Sequence, residues 1–147
     1  MVTKGRFHRK TVITMGHVLV IDDDRVVLSL VSGILEAHGH SVSTAQDGRV
    51  GMKVFSRRHV DLVVTDIVMP GQEGMATIGA IRRTSSTVPI LAMSGSHTVG
   101  RYGSYLDAAI LLGANATLEK PITVDGLMKA VDRLLVAAER RKRPVEA

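Results

Sequence analysis

Carboxylate, hydroxyl and amine side chains recur in this 147-residue sequence directly after short apolar runs. The run at 17–21 (HVLVI) is followed by Asp22, Asp23 and Asp24, and the run at 61–65 (DLVVT) by Asp66. The run at 88–93 (VPILAM) is followed by Ser94, and a shorter run at 116–119 by Lys120 and Pro121. Brought to one edge, these groups would set several carboxylates beside a hydroxyl and an ammonium. Carboxylates held close together raise one another's pKa unless a cation neutralises them. Hard oxygen donors of this kind suit Mg²⁺, which takes one or two carboxylates and keeps waters and phosphate oxygens in its remaining positions. A compact lysine ammonium suits an anion. Each piece has an ordinary reading when taken alone. Asp24 reads as a helix N-cap, Asp66 and Ser94 as turn residues, and Lys120 as a solvated lysine. Their recurrence after successive apolar runs favours the joint reading.

The elements that must position these residues follow from the hydrophobic pattern. After the first run, Val26, Val27, Leu30, Val31, Ile34 and Leu35 fall at helical spacing, and His38-Gly39-His40 ends that helix with a glycine where one is expected. Residues 41–45 predict a second strand, polar enough to lie at an edge. Asp47-Gly48 marks a turn, and 50–58 a short helix burying Met52 and Phe55. The third strand, 61–65, leads to a helix over 74–83 with Met75, Ile78 and Ile81 on one face. The fourth strand, 88–93, leads through a Gly/Ser-rich loop at 94–103 to a helix over 104–112. A short fifth strand, 116–119, precedes a last helix over 123–140, with Leu127, Ala130, Val131, Leu134 and Leu135 inward. Alternating strands and helices with short connections imply an α/β fold with a parallel sheet covered on both faces. Right-handed crossovers and chain length favour a flavodoxin-like, doubly wound, five-stranded parallel sheet in strand order 2-1-3-4-5 with five helices. Ligands of such sheets bind beyond the carboxyl ends of the strands.

The length suits one domain, and 45% hydrophobic residues exclude intrinsic disorder. No run approaches the roughly 18 apolar residues of a membrane span. No signal peptide is expected, because no apolar stretch follows the basic N-terminus. With no cysteine there is no disulfide scaffold and no thiol chemistry, and the cytoplasm is the expected compartment. Scarce aromatics weaken a single-strand nucleic-acid reading. The net charge of +5 belongs to the ends: Lys4, Arg6, Arg9 and Lys10 at one, Arg140, Arg141, Lys142 and Arg143 at the other. The middle is near neutral. The expected division is a basic tail at 1–16, one domain at 17–140 and a tail at 141–147.

Four motifs, in order, resemble the receiver domain of bacterial two-component response regulators: VLVIDDD, DLVVTDIVMPGQEG, VPILAMSGS and GANATLEKP. The likeness runs from about His17 to Arg140. It implies that Asp66 is the phosphoacceptor, that Asp22 and Asp23 are the acidic pair, that Ser94 is the switch hydroxyl and that Lys120 is the partner lysine. It further implies Mg²⁺ held by Asp22, Asp23, Asp66 and the Val68 carbonyl. The phosphoryl donor would be a histidine kinase or a histidine phosphotransfer protein, and the phosphorylated protein would act by contacts with an unidentified downstream protein rather than as an enzyme.

The sequence departs from the family in three places. Thr117 stands where the family usually has an aromatic residue. The loop after Ser94 is longer than usual, with Gly95, Gly100 and Gly103 in it. No effector follows the last helix, so a stand-alone regulator with no DNA-binding domain and no membrane span is expected. A homodimer through the apolar 104–112 helix is one candidate assembly. Two other readings stay open. One is a degenerate receiver that binds partners without phosphorylation. The other is a haloacid-dehalogenase-like phosphohydrolase with Asp22 as nucleophile and Asp24 as acid–base group.

Overall fold

Runs in which every side chain can be buried form the middle of the sheet. β1 (His17–Ile21), β3 (Leu62–Asp66) and β4 (Ile90–Ser94) are buried at every position, as a sheet covered on both faces requires. Their side chains alternate between two cores. Val18, Val20, Leu62, Val64, Leu91 and Met93 face one side. Leu19, Ile21, Val63, Ile90 and Ala92 face the other. The computed structural model describes residues 14–67, 73–95, 99–100 and 103–142. The basic N-terminal tail through residue 13, residues 143–147 and Val68 lie outside them.

The remaining elements are α1 (Arg25–Ala37), β2 (Ser41–Ala45), α2 (Gly48–Arg57), α3 (Glu73–Thr84), β5 (Val99–Gly100), β6 (Gly103–Ser104), α4 (Tyr105–Leu112), β7 (Ala116–Glu119) and α5 (Val124–Lys142). The five-stranded sheet is parallel, in the order β2-β1-β3-β4-β7, which is the expected 2-1-3-4-5 when only its own strands are counted. Polar β2 lies at an edge, as its composition predicts. Among the described residues no helix is long and apolar enough to cross a membrane.

Helix ends follow local chemistry. Asp24 accepts from the Val26 N–H at 2.9 Å and caps α1, and Asp47 accepts from the Val50 N–H at 2.8 Å and caps α2. The predicted turn at Asp47-Gly48 is thus a helix start. α1 and α4 both close with an N–H reaching five residues back, His40 to Leu35 and Ala114 to Ala109. Gly39 and Gly113 hold the positive φ that this closure needs.

Some expected positions shift. α1 buries Leu28, Val31 and Leu35 while Val26 is 74% exposed and Leu30 45%, because a helix starting at Arg25 turns that stripe inward. The stretch expected as a loop at 94–103 contains the antiparallel β5–β6 ladder, with Gly100 opposite Gly103 at its closing end. In α4 only one stripe fits the core. Ala109 is buried, whereas Ile110, Leu111 and Leu112 stay exposed.

The side of the sheet carrying α3 and α4 is fastened by one side chain. The Arg82 guanidinium donates to the Gly113 carbonyl at 2.9 Å, the Val88 carbonyl at 2.7 Å, the Ser85 carbonyl at 3.2 Å and the Asn115 side-chain oxygen at 2.7 Å. The same Asn115 oxygen accepts from the Ile90 N–H at 2.8 Å. A planar fork with donors in several directions can do this, and an ammonium cannot. Arg82→Lys is therefore expected to lower stability by about 2 kcal/mol, the cost of leaving partly buried carbonyls unmade. Urea unfolding checks it; a loss below about 0.5 kcal/mol, the range of an ordinary surface change, would mean that the fork does not hold these turns together.

Candidate functional site

Parallel register assembles the expected residues. Ile21 pairs with Thr65, so Asp22 and Asp66, one step further along β1 and β3, stand side by side. Asp66 pairs with Met93, which places Ser94 at the tip of the next strand, and Ser94 pairs with Glu119, immediately before Lys120. The Lys120 N–H donates to the Ser94 carbonyl at 2.8 Å. The Lys120–Pro121 bond is cis.

The side chains then meet. Lys120 Nζ lies 2.9 Å from Asp22 Oδ2 and 3.4 Å from Asp66 Oδ1. Asp22 is fully buried, and its other oxygen accepts from the Asp24 N–H at 2.9 Å. One carboxylate oxygen each from Asp22, Asp23 and Asp66 lie within 4.8 Å of one another. Asp23 is exposed, whereas the Asp66 side chain is only 4% exposed. As a turn residue after a strand, Asp66 would face solvent. The register draws it back between β1 and β4, which reduces its exposure.

Burial pushes the Asp22 carboxyl above the ordinary aspartate range, and the charge of Asp23 adds to the push, against the Asp24 N–H and Lys120. Burial alone would lower the Lys120 ammonium. The hydrogen bond to Asp22 and the charges of Asp66 and Asp22 outweigh it and hold Lys120 above the ordinary lysine value. Asp22, Asp23 and Asp66 thus face the single ammonium of Lys120 and keep a negative surplus. Oxygen donors with that surplus fit a hard divalent cation. The geometry gives no support to a phosphohydrolase built on Asp22 and Asp24. Both Asp22 oxygens are engaged, and the Asp24 carboxylate is spent on the helix cap. Val68, the last expected ligand, lies outside the described residues.

Sequence reasoning missed Gly74. A β-carbon on Gly74 would overlap the Asp66 carbonyl oxygen and the Ile67 Cα, so α3 begins hard against the backbone that carries Asp66. The quoted motif DLVVTDIVMPGQEG contains this glycine, yet only the close approach in the fold gives it a purpose. Gly74→Ala is expected to cost about 1–3 kcal/mol, as overpacking does. Thermal unfolding reads that cost, and an unchanged midpoint would mean that the helix start yields freely.

The raised Asp22 pKa has a sign. The folded protein holds this proton more tightly than the unfolded chain, so its contribution is present at low pH and is lost as pH rises through the folded-state value. In metal-free protein near neutral pH, Asp22→Asn should raise stability by about 1 kcal/mol, the lower end of what replacing a buried charge yields. The gain should fade as pH drops into the ordinary aspartate range. Melts in EDTA across that range test it; a variant less stable than wild type at neutral pH would show that the pull of Lys120 exceeds the cost of burial.

Comparison with known proteins sets this geometry in context. A family model described as "Response regulator receiver domain" matches residues 18–132. The chain is 34% identical over 121 residues to the transcriptional regulatory protein GlrR of Escherichia coli, covering 81% of this chain and 26% of that protein. It is 34% identical to the response regulator MprA of Mycolicibacterium vanbaalenii, covering 80% of this chain and 49% of that protein. The crystal structure of NtrX from Brucella abortus superposes with a TM-score of 0.81 at 28% identity, over 88% of this chain and 28% of that one. The chain thus spans between about a quarter and a half of these relatives. This corrects the partner expectation of a stand-alone regulator with no DNA-binding output and a homodimer through residues 104–112. The same unit is carried inside longer proteins, one of them titled a transcriptional regulator. The physical reason is that the whole site sits on one sheet edge, so the unit is portable, and its own residues do not reveal what it is joined to.

Proposed function

The chain belongs to the response regulator receiver domain family, and from that membership we propose that residues 17–140 form a phosphoacceptor unit of a two-component phosphorelay, with 1–16 and 141–147 as flanking segments. Receiver domains are signalling modules that bind Mg²⁺ at an acidic pocket. The observation that carries the reading here is the buried Asp66 carboxylate beside Lys120 in an oxygen cluster with Asp22 and Asp23.

In the proposed reaction a histidine kinase or histidine phosphotransfer protein presents phosphohistidine. An Asp66 carboxylate oxygen attacks phosphorus in line. The new O–P bond forms as the P–N bond breaks, and its electron pair leaves on the imidazole nitrogen, which takes a proton from solvent. Asp22, Asp23, Asp66 and the Val68 carbonyl would hold Mg²⁺, which when bound neutralises charge on the transferring oxygens. Lys120 supplies fixed positive charge to the acyl phosphate, and Ser94, at the neighbouring strand tip, supplies a hydroxyl. New charge on Asp66 then acts on the segment after Ser94, which is the route by which phosphorylation reorders a loop.

Incubation with a labelled small phosphodonor and Mg²⁺, followed by peptide mapping, tests the assignment. Label is expected on Asp66 and is lost in Asp66→Ala. Asp22→Asn should slow labelling at least about tenfold, since even groups that only support a metal's ligands cost that much. Label mapped to Asp22 would revive the phosphohydrolase. No label on a protein that still folds would leave the phosphorylation-independent interaction module.

A further inference from the structure

At the opposite end of the sheet, where the strands begin, an open-sided cleft of about 620 Å³ lies between the end of α2, the entry to β3, the turn before β4 and the last turns of α5. Small-molecule sites are of this size. Phe55, Val88 and Pro89 give it an apolar wall. Arg58, His59, Arg141 and Lys142 line it from segments more than eighty residues apart, so the fold itself gathers them.

Among the described lining residues Arg58, Arg141 and Lys142 outnumber the carboxylates. Asp61 is the only carboxylate among the described lining residues, and it is engaged: it accepts from the His17 N–H at 2.8 Å and pairs with His59 at 2.9 Å. Among the described residues Arg58 and Arg141 have no acidic partner within salt-bridge distance. Lys142 has a long, exposed contact with Glu139 at 3.7 Å, and its charge also acts on Asp61. Neighbouring groups register the surplus. Burial lowers the pKa of Arg82 and the charge of Arg141 lowers it further, and burial together with Arg58 does the same to His17. Guanidinium forks match phosphate oxygens in pairs, and an apolar wall beside them suits an uncharged ring.

We propose that this cleft binds a phosphate-bearing small molecule of nucleotide size, with its phosphate on Arg58 and Arg141 and its ring against Phe55 and Pro89. The site is separate from the carboxylate cluster, since the two occupy opposite ends of the strands.

Calorimetric titration of the chain with AMP, ADP, GDP and pyrophosphate tests this. At least one nucleotide should bind with saturation at one site, more tightly than pyrophosphate or adenosine alone. Arg58→Gln and Arg141→Ala should each weaken it about tenfold, the worth of one charge-assisted contact. Lys120→Ala should leave it unchanged, and Arg58→Gln should leave phosphodonor labelling of Asp66 at the wild-type rate. Matching unfolding midpoints would show that the arginine variants are folded. The proposal is overturned if none of the probes saturates, or if binding survives in the Arg58→Gln, Arg141→Ala double variant. Loss of binding in Lys120→Ala would place the phosphate at the other end and overturn it too. So would a DNA duplex that binds through Arg58 and Arg141 and is not displaced by nucleotide.

Discussion

Asp22, Asp23 and Asp66 hold more negative charge at one sheet edge than Lys120 can offset. The surrounding fold is arranged to tolerate that imbalance. A fully buried Asp22 is costly in charged form, and its two oxygens are accordingly occupied, one by a backbone N–H and one by the ammonium. Asp24, next in the chain, is turned away to cap α1, so it does not join the crowd. Fixing these positions takes rigid supports, and parallel strands whose side chains are all buried provide them. The edge is thus preset for whatever cation and anion relieve it, and phosphorylation chemistry uses both.

Much of this was legible in the sequence because strands declare their ends. A run such as HVLVI or DLVVT can be buried on both faces, and the first polar residue after it marks the sheet's carboxyl edge. Asp22, Asp66, Ser94 and Lys120 were placed by that logic, and the polar SVSTA segment was placed at an edge by its opposite. What stayed hidden depends on distances between segments remote in sequence. Arg82 reads as an ordinary basic residue at a helix end, and only the fold puts Gly113, Val88 and Asn115 within its reach. Gly74 reads as loop punctuation until the Asp66 backbone is seen beneath it. The buried face of α1 stayed open for a simpler reason: Val26, Leu28, Leu30 and Val31 are all apolar, so periodicity could not choose among them.

The ends of the sheet contrast chemically. Where strands leave, carboxylates predominate and a lysine answers them. Where strands enter, arginines predominate and Asp61 is occupied with organising the chain. His17, the first residue of β1, illustrates that organising role. Its ring nitrogens lie 2.6 Å and 2.7 Å from the Ser41 and Ser43 hydroxyls, which ties the edge strand β2 to the centre. Burial, aided by the charge of Arg58, keeps this imidazole below the ordinary histidine pKa and favours its neutral form.

Strand alternation has a consequence for how the two sides of the molecule communicate. Val18 and Val20 belong to one core while Leu19 and Ile21 belong to the other. Helices touch within a side, α1 with α5, and α2 and α4 with α3. The sheet is therefore a partition with a lining of its own on each surface. A repacking that begins around α4 meets α1 only through the sheet, by way of β7 and α5 or along the strand tips. Lys120 stands on that path, bonded through its backbone to Ser94 and through its side chain to Asp22. One lysine thus joins, at the strand tips, a residue of β4 to one at the end of β1.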